Sequence, residues 1–133
     1  MKKILFVCVE NAGRSQMAEA FFRKYLPPGF EPVSAGTRPA AKVNPTVTQA
    51  MSEVGIDIGE NSPQDISQQM IDDAQITVNM GCMDEEACPA LFLKDVKDWK
   101  IQDPKGKSIE EVREIRDQIE QRVKEFVSQL QES

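Results

Sequence analysis

The spacing of apolar and polar residues predicts strands that alternate with helices along the whole chain. Residues 3–9 contain an uninterrupted apolar run, which is typical of a strand buried on both faces. Shorter strands are predicted over residues 32–36 and 75–80, and a fourth over residues 98–102. Strands that alternate with helices indicate a parallel sheet with helices on both faces.

Two helices are predicted in the first half of the chain. Residues 15–26 place apolar and aromatic side chains on one side, and a Pro-Pro-Gly run ends the helix. Asn44 is a suitable N-cap and Pro45 a suitable first residue for a second helix, which runs to about residue 54. Gly55 is expected to end that helix.

Two more helical segments are predicted in the second half. Residues 66–73 have short helical character, and Ser108 with Glu111 has the spacing of a capping box at the start of a long terminal helix. Barely three heptads are present, so a face packed on the sheet is favoured over a coiled coil. The apolar stripe of this helix consists of Ile109, Val112, Ile115, Ile119, Val123, Phe126, Val127 and Leu130.

The predicted fold is a three-layer α/β arrangement, a four-stranded parallel sheet flanked by helices, in a single domain over residues 1–133. Ligands bind such sheets at the carboxyl ends of the strands. Cys8 follows the first strand and Cys82 follows the third. The loops that carry these two cysteines are therefore expected to open onto the same edge of the sheet.

The composition of the chain limits the classes of partner and of mechanism that are possible. The net charge is −6 and there is no basic block, which argues against nucleic acid as a partner. No apolar run approaches the length of a membrane span, and no signal peptide follows the first residues. We expect a cytoplasmic protein that does not bind membranes. The chain contains no histidine, which excludes Ser-His and Cys-His mechanisms and makes a zinc site improbable.

The segment between the first strand and the first helix has the composition of an oxyanion cradle. Its turn points backbone N–H groups inward, and the helix that follows adds its positive end. Arg14 offers a planar fork to two oxygens, and the same positive field favours the thiolate form of Cys8, a nucleophile. Ser15 is expected to cap the helix and to donate to the thiolate, and Gly13 to permit an unusual backbone angle. The predicted oxyanion-binding residues are Val9, Glu10, Asn11, Ala12, Gly13, Arg14 and Ser15.

Asp103 is the preferred candidate for a general acid. An Asp-Pro pair alone is usually a structural turn. Attack by a thiolate on phosphorus or arsenic expels an oxygen that an acid must protonate, and a carboxyl on a loop is the natural donor in a chain without histidine. We therefore predict that Cys8, Arg14 and Asp103 act together.

Cys82 and Cys88 lie on one predicted loop and allow three interpretations. They could bind a metal, remain buried idle thiols, or form a redox pair. An odd number of cysteines argues against a structural disulfide framework. The redox pair is favoured, with a loop over residues 81–89 that rearranges between the reduced and oxidised states. No metal ligand is assigned.

The sequence resembles the low-molecular-weight protein tyrosine phosphatases, and within them the thiol-dependent arsenate reductases. The resemblance covers essentially the whole chain. Its specific features are the Cys8-to-Ser15 motif, Ser34-Ala35-Gly36, Asn44-Pro45, the Met51–Ile58 segment and Asp103-Pro104-Lys105-Gly106-Lys107. Phosphatases of the family usually carry aromatic residues after Asp-Pro, whereas this chain has Lys105 and Gly106.

The resemblance implies a thiol cascade. Cys8 attacks arsenate, Asp103 protonates the leaving oxygen, Cys82 attacks Cys8 and releases arsenite, and Cys88 then takes over the disulfide. It implies no tightly bound cofactor, but an external reductant: thioredoxin, a glutaredoxin-type protein or a small thiol. A monomer is expected. Some members bind potassium near the first loop, but Gln64 stands where an acidic ligand would be.

Two alternatives remain at this point. A phosphatase of the same fold would hydrolyse phosphomonoesters through a phosphocysteine at Cys8. A non-enzymatic oxyanion sensor or thiol-interaction module would need no general acid, and the presence of both Cys8 and Asp103 argues against it.

Overall fold

The computed structural model describes residues 1–80 and 96–132, and these residues form a four-stranded parallel sheet. The strands have the spatial order β2-β1-β3-β4, and each neighbouring pair is parallel. The predicted four-stranded parallel sheet is therefore confirmed. The strands are β1 (Lys2–Cys8), β2 (Phe30–Gly36), β3 (Ala74–Asn79) and β4 (Val96–Asp98).

Helices cover both faces of this sheet, as predicted. One apolar cluster joins one face of the sheet to α1, α2 and α4, and a second cluster joins the other face to α3. The fold is thus the predicted three-layer α/β arrangement. The described helices are α1 (Arg14–Lys24), α2 (Pro45–Ser52), α3 (Gln68–Asp73) and α4 (Ile109–Glu132).

The central strand β1 is buried on both faces, which explains its continuous apolar sequence. Leu5 belongs to the cluster with α3, whereas Phe6 belongs to the larger cluster on the opposite face. There the Phe6 and Trp99 ring centroids lie 5.8 Å apart, and Trp99 meets Phe126 of α4 edge-on, also at 5.8 Å. These aromatic contacts tie α4 to the sheet.

The prediction for the fourth strand is wrong in its bounds. β4 covers Val96–Asp98 rather than residues 98–102. The backbone of Lys100 adopts a positive φ of 51°, which ends the extended conformation. Hydrogen bonds nevertheless continue past the strand, because the Trp99 N–H donates to Asn79 O at 2.9 Å and the Ile101 N–H to Met80 O at 3.1 Å. The chain therefore stays against the end of β3.

The start of α1 also differs from the prediction. The helix begins at Arg14, its N-cap is Gly13, and no side chain caps it. The predicted capping role of Ser15 is thus wrong, because Ser15 already lies inside the helix. The Asn44 prediction is confirmed, since its Oδ1 accepts a hydrogen bond from the Thr46 N–H at 2.9 Å at the start of α2.

The remaining bounds shift by a few residues. β2 begins at Phe30, two residues before the predicted 32–36, because Phe30 pairs with Lys2 of β1. The helical part of residues 66–73 is α3, whose N-cap Ser67 accepts from the Met70 N–H.

The predicted apolar stripe of the terminal helix α4 packs against α1 and α2 in the core. Its N-cap Ser108 accepts a hydrogen bond from the Glu111 N–H at 3.3 Å. Six members of the stripe are buried and two are partly buried, so the helix is a core element. The buried members are Val112, Ile115, Ile119, Val123, Phe126 and Val127.

One carboxylate links the end of α2 to α4. Glu53 accepts two hydrogen bonds from Arg113, at 2.9 and 2.6 Å, and one from Arg116 at 3.1 Å. The Arg113 side chain lowers the pKa of Glu53 below its ordinary value of 4.5. A lowered pKa in the folded state means that ionised Glu53 stabilises the fold above this pH, and that the contribution is lost as the pH falls.

We expect Glu53→Gln to lower the melting temperature at pH 7, because it removes the charge that both arginines contact. The difference from wild type should shrink as the pH falls below about 4.5, where Glu53 of the unfolded chain takes up a proton, and should vanish once the pH passes the lowered pKa of folded Glu53. Thermal unfolding at pH 7 and pH 3.5 measures this. Glu114→Gln, an exposed change on the same helix, is the control. A difference that persists at low pH would contradict the electrostatic explanation.

Candidate active site

The loop over residues 8–15, here called the anion loop, is held with its carbonyl groups turned outward. Four of these carbonyls bond to the segment that follows β2, so the peptide units are oriented by neighbouring backbone. This orientation leaves loop N–H groups to face inward, around Cys8. The carbonyls of Cys8, Val9, Glu10 and Ala12 accept from the N–H groups of Thr37, Arg38, Ala40 and Asn44 at 3.2, 2.7, 2.9 and 2.9 Å respectively.

Two local features let the anion loop pack so closely. At Gly36 a Cβ atom would lie only 2.5 Å from Val9 O and 2.9 Å from Asn11 N, so a side chain there would displace the loop. Asn11 has a φ of 51°, in the left-handed region that asparagine adopts more readily than most residues. The close approach of β2 therefore shapes the loop from one side, and Asn11 turns it.

Cys8 lies at the base of the loop, almost fully buried. Its Sγ is 2.8 Å from Ser15 Oγ and accepts a hydrogen bond from the Asn11 N–H at 3.2 Å. Asn11 Nδ2 donates to the same Ser15 Oγ at 2.8 Å, which favours directing the Ser15 hydroxyl proton toward Cys8 Sγ. Both contacts favour negative charge on the sulfur.

Arg14 is buried in the wall of the same pocket. Its Nη1 donates to Ile101 O at 2.7 Å, and its Nη2 lies 3.5 Å from Asp103 Oδ2. The bond to Ile101 fixes the plane of the guanidinium and holds the segment after β4 beside the anion loop. The structure thus brings Cys8, Arg14, Ser15 and Asp103 together, although Asp103 is 88 positions or more from the other three in the sequence.

The turn that carries Asp103 rests directly on the anion loop. A Cβ atom at Gly13 would lie 2.8 Å from Pro104 Cγ, so Gly13 is required for this close approach. Its φ of −141° and ψ of −92° lie outside the helical and extended regions, so the predicted unusual backbone angle is confirmed, and the contact with Pro104 is a second, steric reason for glycine here. The Lys105 N–H donates to Asp103 Oδ1 at 3.0 Å, and Lys105 Nζ donates to Glu10 Oε1 at 2.7 Å, which raises the pKa of Lys105.

These elements enclose one pocket of about 530 Å³. Five of the seven predicted oxyanion-binding residues line it, and the other two, Asn11 and Ser15, contact Cys8 at its base. It is lined by Cys8, Val9, Glu10, Ala12, Gly13, Arg14, Asn44, Ile101, Gln102, Asp103, Pro104 and Lys105. Cys82, Cys88 and the predicted rearrangement of residues 81–89 lie outside the described residues.

Sequence reasoning missed the glutamines that hold Asn11. The backbone N–H of Gln64 donates to Asn11 Oδ1 at 2.9 Å, and Gln16 Nε2 donates to Asn11 O at 3.1 Å. The Gln16 contact is local, and its position beside Ser15 was the only available signal. Gln64 is 53 residues from Asn11, so nothing in the local pattern indicates the contact.

The same glutamine bears on the potassium site known for some similar proteins. Gln64 Nε2 donates to Ser34 O at 2.7 Å, which places an N–H donor where a cation would need an oxygen ligand. Gln64 therefore supplies no carboxylate ligand at this position. Within residues 1–80 and 96–132, no group of three His, Cys, Asp or Glu side chains is arranged to hold a metal ion. In that part of the chain, no helix has both the length and the apolar character to span a membrane.

A parallel α/β sheet with a thiol beneath an anion-binding loop defines a class of proteins that bind tetrahedral oxyanions next to a cysteine. The sequence profile of the low molecular weight phosphotyrosine protein phosphatases matches residues 3–133. The chain belongs to that family, which confirms the resemblance drawn from its motifs.

Relatives of known sequence are named for arsenate reduction. An arsenate reductase from Brevibacillus brevis is 38% identical over 127 residues, which cover 94% of this chain and 93% of the relative. A glutaredoxin arsenate reductase from Synechocystis is 34% identical over 131 residues, which cover 98% and 99%.

Solved structures agree on the fold. An arsenate reductase in the phosphate binding state superposes with a TM-score of 0.85 at 34% identity, covering 97% of this chain and 98% of that one. An arginine phosphatase from Geobacillus stearothermophilus superposes with a TM-score of 0.86 at 29% identity, covering 98% and 94%.

We expect Cys8 to react with iodoacetamide faster than Cys82 or Cys88 when the pH is lowered toward 6, because the Asn11 N–H and Ser15 stabilise its thiolate. Phosphate should protect it. Mass spectrometry of the alkylated peptides measures each rate separately. A Cys8 rate no higher than that of Cys82 would contradict the cradle geometry.

We expect Gly13→Ala to lower the rate at which the Cys8 thiolate expels an oxygen from a bound oxyanion or its ester by roughly 10-fold or more. The reason is that the added methyl displaces Pro104 and the proton donor Asp103 from the anion loop. Phosphate protection of Cys8 should be affected much less. Gly59→Ala, where the new methyl would meet only flexible side-chain atoms, is the control. Equal losses of rate and phosphate protection would indicate that the whole loop is disturbed.

Proposed function

We propose that this protein reduces arsenate to arsenite with its cysteine thiols. The observation that carries the proposal is Cys8 Sγ, held by Ser15 and the Asn11 N–H at the base of a pocket that also contains Arg14 and Asp103. Relatives named arsenate reductase, which match nearly the whole chain, favour this activity over phosphomonoester hydrolysis.

The first step is attack on the oxyanion. The Cys8 thiolate forms a sulfur–arsenic bond, and one arsenic–oxygen bond breaks. Asp103 donates a proton to the departing oxygen, which leaves as water. Arg14 and the inward N–H groups of the anion loop stabilise the negative charge of the remaining oxygens. Arg14 is already oriented for this by its bond to Ile101 O.

The next steps transfer two electrons. The Cys82 thiolate attacks Cys8 Sγ, a sulfur–sulfur bond forms, and the electron pair of the sulfur–arsenic bond passes to arsenic, which leaves as arsenite. The Cys88 thiolate then attacks Cys82 and releases the Cys8 thiolate, a good leaving group in this environment. An external thiol reductant supplies two electrons to the Cys82–Cys88 disulfide.

The reductant is a thioredoxin, a glutaredoxin-type protein or a small thiol. The glutaredoxin arsenate reductase of Synechocystis supports an external thiol source. We propose that the enzyme works in the cytoplasm, where such reductants are abundant. We also propose that it is a monomer and that it binds no cofactor tightly.

Hydrolysis of phosphomonoesters is the second candidate. The same Cys8, Arg14 and Asp103 would form and hydrolyse a phosphocysteine, and the structural similarity to an arginine phosphatase favours a related chemistry. The two functions differ in one requirement, because only arsenate reduction consumes electrons.

We expect Cys82→Ser or Cys88→Ser to stop multiple turnovers on arsenate and to leave any slow hydrolysis of p-nitrophenyl phosphate within about 2-fold of wild type, because hydrolysis needs no electrons from these thiols. Arsenate-dependent oxidation of the reductant and release of p-nitrophenol from the same preparation measure the two activities.

Asp103→Asn is the matched control, because it removes the proton donor that both reactions share. It should lower both activities by roughly 10²-fold or more. Equal loss of both activities in Cys82→Ser would show a structural role for that thiol. Wild-type protein that hydrolyses the phosphoester without oxidising any reductant would overturn arsenate reduction.

A further inference from the structure

Four charged side chains that alternate in sign line the pocket. Glu10 on the anion loop pairs with Lys105, whose Nζ lies 2.7 Å from Glu10 Oε1. Lys105 shares a tight turn with Asp103, and Asp103 faces Arg14 at 3.5 Å. The Lys105 side chain therefore joins the turn that carries Asp103 to the anion loop, and both partners line the pocket.

The proposed reaction uses the backbone of Glu10 but has no use for its carboxylate. A carboxylate on the anion loop repels an incoming dianion, and Lys105 offsets that charge. The pair is not a major source of stability either, since 37% of the Glu10 side chain and 68% of the Lys105 side chain are exposed, and exposed pairs contribute little. The distinguishing property of the pair is thus that its two exposed side chains join two segments of the pocket lining.

The pair is also close to Asp103, since Lys105 lies two residues further along the same turn. The oxygen expelled by Cys8 must lie next to Asp103 to receive its proton. In a free oxyanion this oxygen carries at most a proton. In a phosphomonoester it carries an organic group, which must leave the pocket past Asp103, where Lys105 crosses to Glu10.

We propose that Glu10 and Lys105 form a strap across the mouth of the pocket that selects free tetrahedral oxyanions over organic phosphoesters. The proposal deepens the proposed function and rests on it only in that the ligand binds above Cys8. An organic ligand must break the ion pair to enter, whereas inorganic phosphate or arsenate passes beside it. Glu10 and Lys105 are specificity-determining residues and take no part in bond breaking.

The test compares two ligands of like charge, inorganic phosphate and phenylphosphonate, at pH 8. Each dissociation constant is measured from the protection of Cys8 against iodoacetamide, with the Cys8 peptide quantified by mass spectrometry. The measured quantity is the affinity for phenylphosphonate divided by the affinity for phosphate. A change in the net charge of the pocket alters the affinity for both ligands by a similar factor, so it has little effect on this ratio.

The variants are Glu10→Gln, Lys105→Met and the double variant. We expect the ratio to rise about 2- to 5-fold in each single variant, the range that breaking an exposed ion pair produces. The double variant should rise no further, because both changes break the same pair. Added salt should raise the wild-type ratio and leave that of the double variant unchanged. Lys107→Met, on the same segment but outside the pocket lining, is the control.

An unchanged ratio in all three variants would overturn the strap, as would opposite shifts in the two single variants, which would indicate a charge effect alone. Failure of both ligands to protect Cys8 would also overturn it. No electron transfer enters the measurement. A strap that behaves as expected in a protein that oxidises no reductant would refute the proposed function and leave this proposal intact.

Discussion

The site depends on the hydrogen bonds that turn the carbonyl groups of the anion loop away from Cys8. Four of these carbonyls bond to backbone N–H groups after β2, and this fixes the direction of the peptide units between them. An acidic chain with a net charge of −6 thereby obtains a local positive field from dipoles that cannot reorient. Gly36 is part of the same constraint, because any side chain there would push the loop off this backbone support.

Helices and strands that depend on local interactions were predicted well from the sequence. The apolar run of β1 and the Asn44-Pro45 start of α2 each reflect interactions within a few residues or burial on both faces. The bounds of β4 were wrong because Lys100 takes a left-handed conformation without a glycine or asparagine to indicate it. That conformation is imposed by bonds from Trp99 and Ile101 to the end of β3, which no local pattern encodes.

In the candidate site, too, the local features were predicted from the sequence and the long-range contacts were not. Cys8, Arg14 and Ser15 fall within one motif. Asp103 could be inferred because the reaction needs a proton donor and the motif contains none. The contacts of Gln64 with Asn11 and of Arg14 with Ile101 O span 53 and 87 residues, so only the fold reveals them. Gly13 is an intermediate case, because its unusual backbone angle was predicted from the sequence but its close contact with the distant Pro104 was not.

Trp99 gives the molecule a built-in optical reporter. It is the only tryptophan in the chain, and its ring lies between Phe6 and Phe126 in the core. Its backbone is two residues from Ile101, whose carbonyl holds the guanidinium of Arg14. Indole emission is sensitive to the polarity and packing around the ring, so a single fluorophore monitors both the core and the segment that supports the pocket. Binding and unfolding can thus be followed spectroscopically without a label.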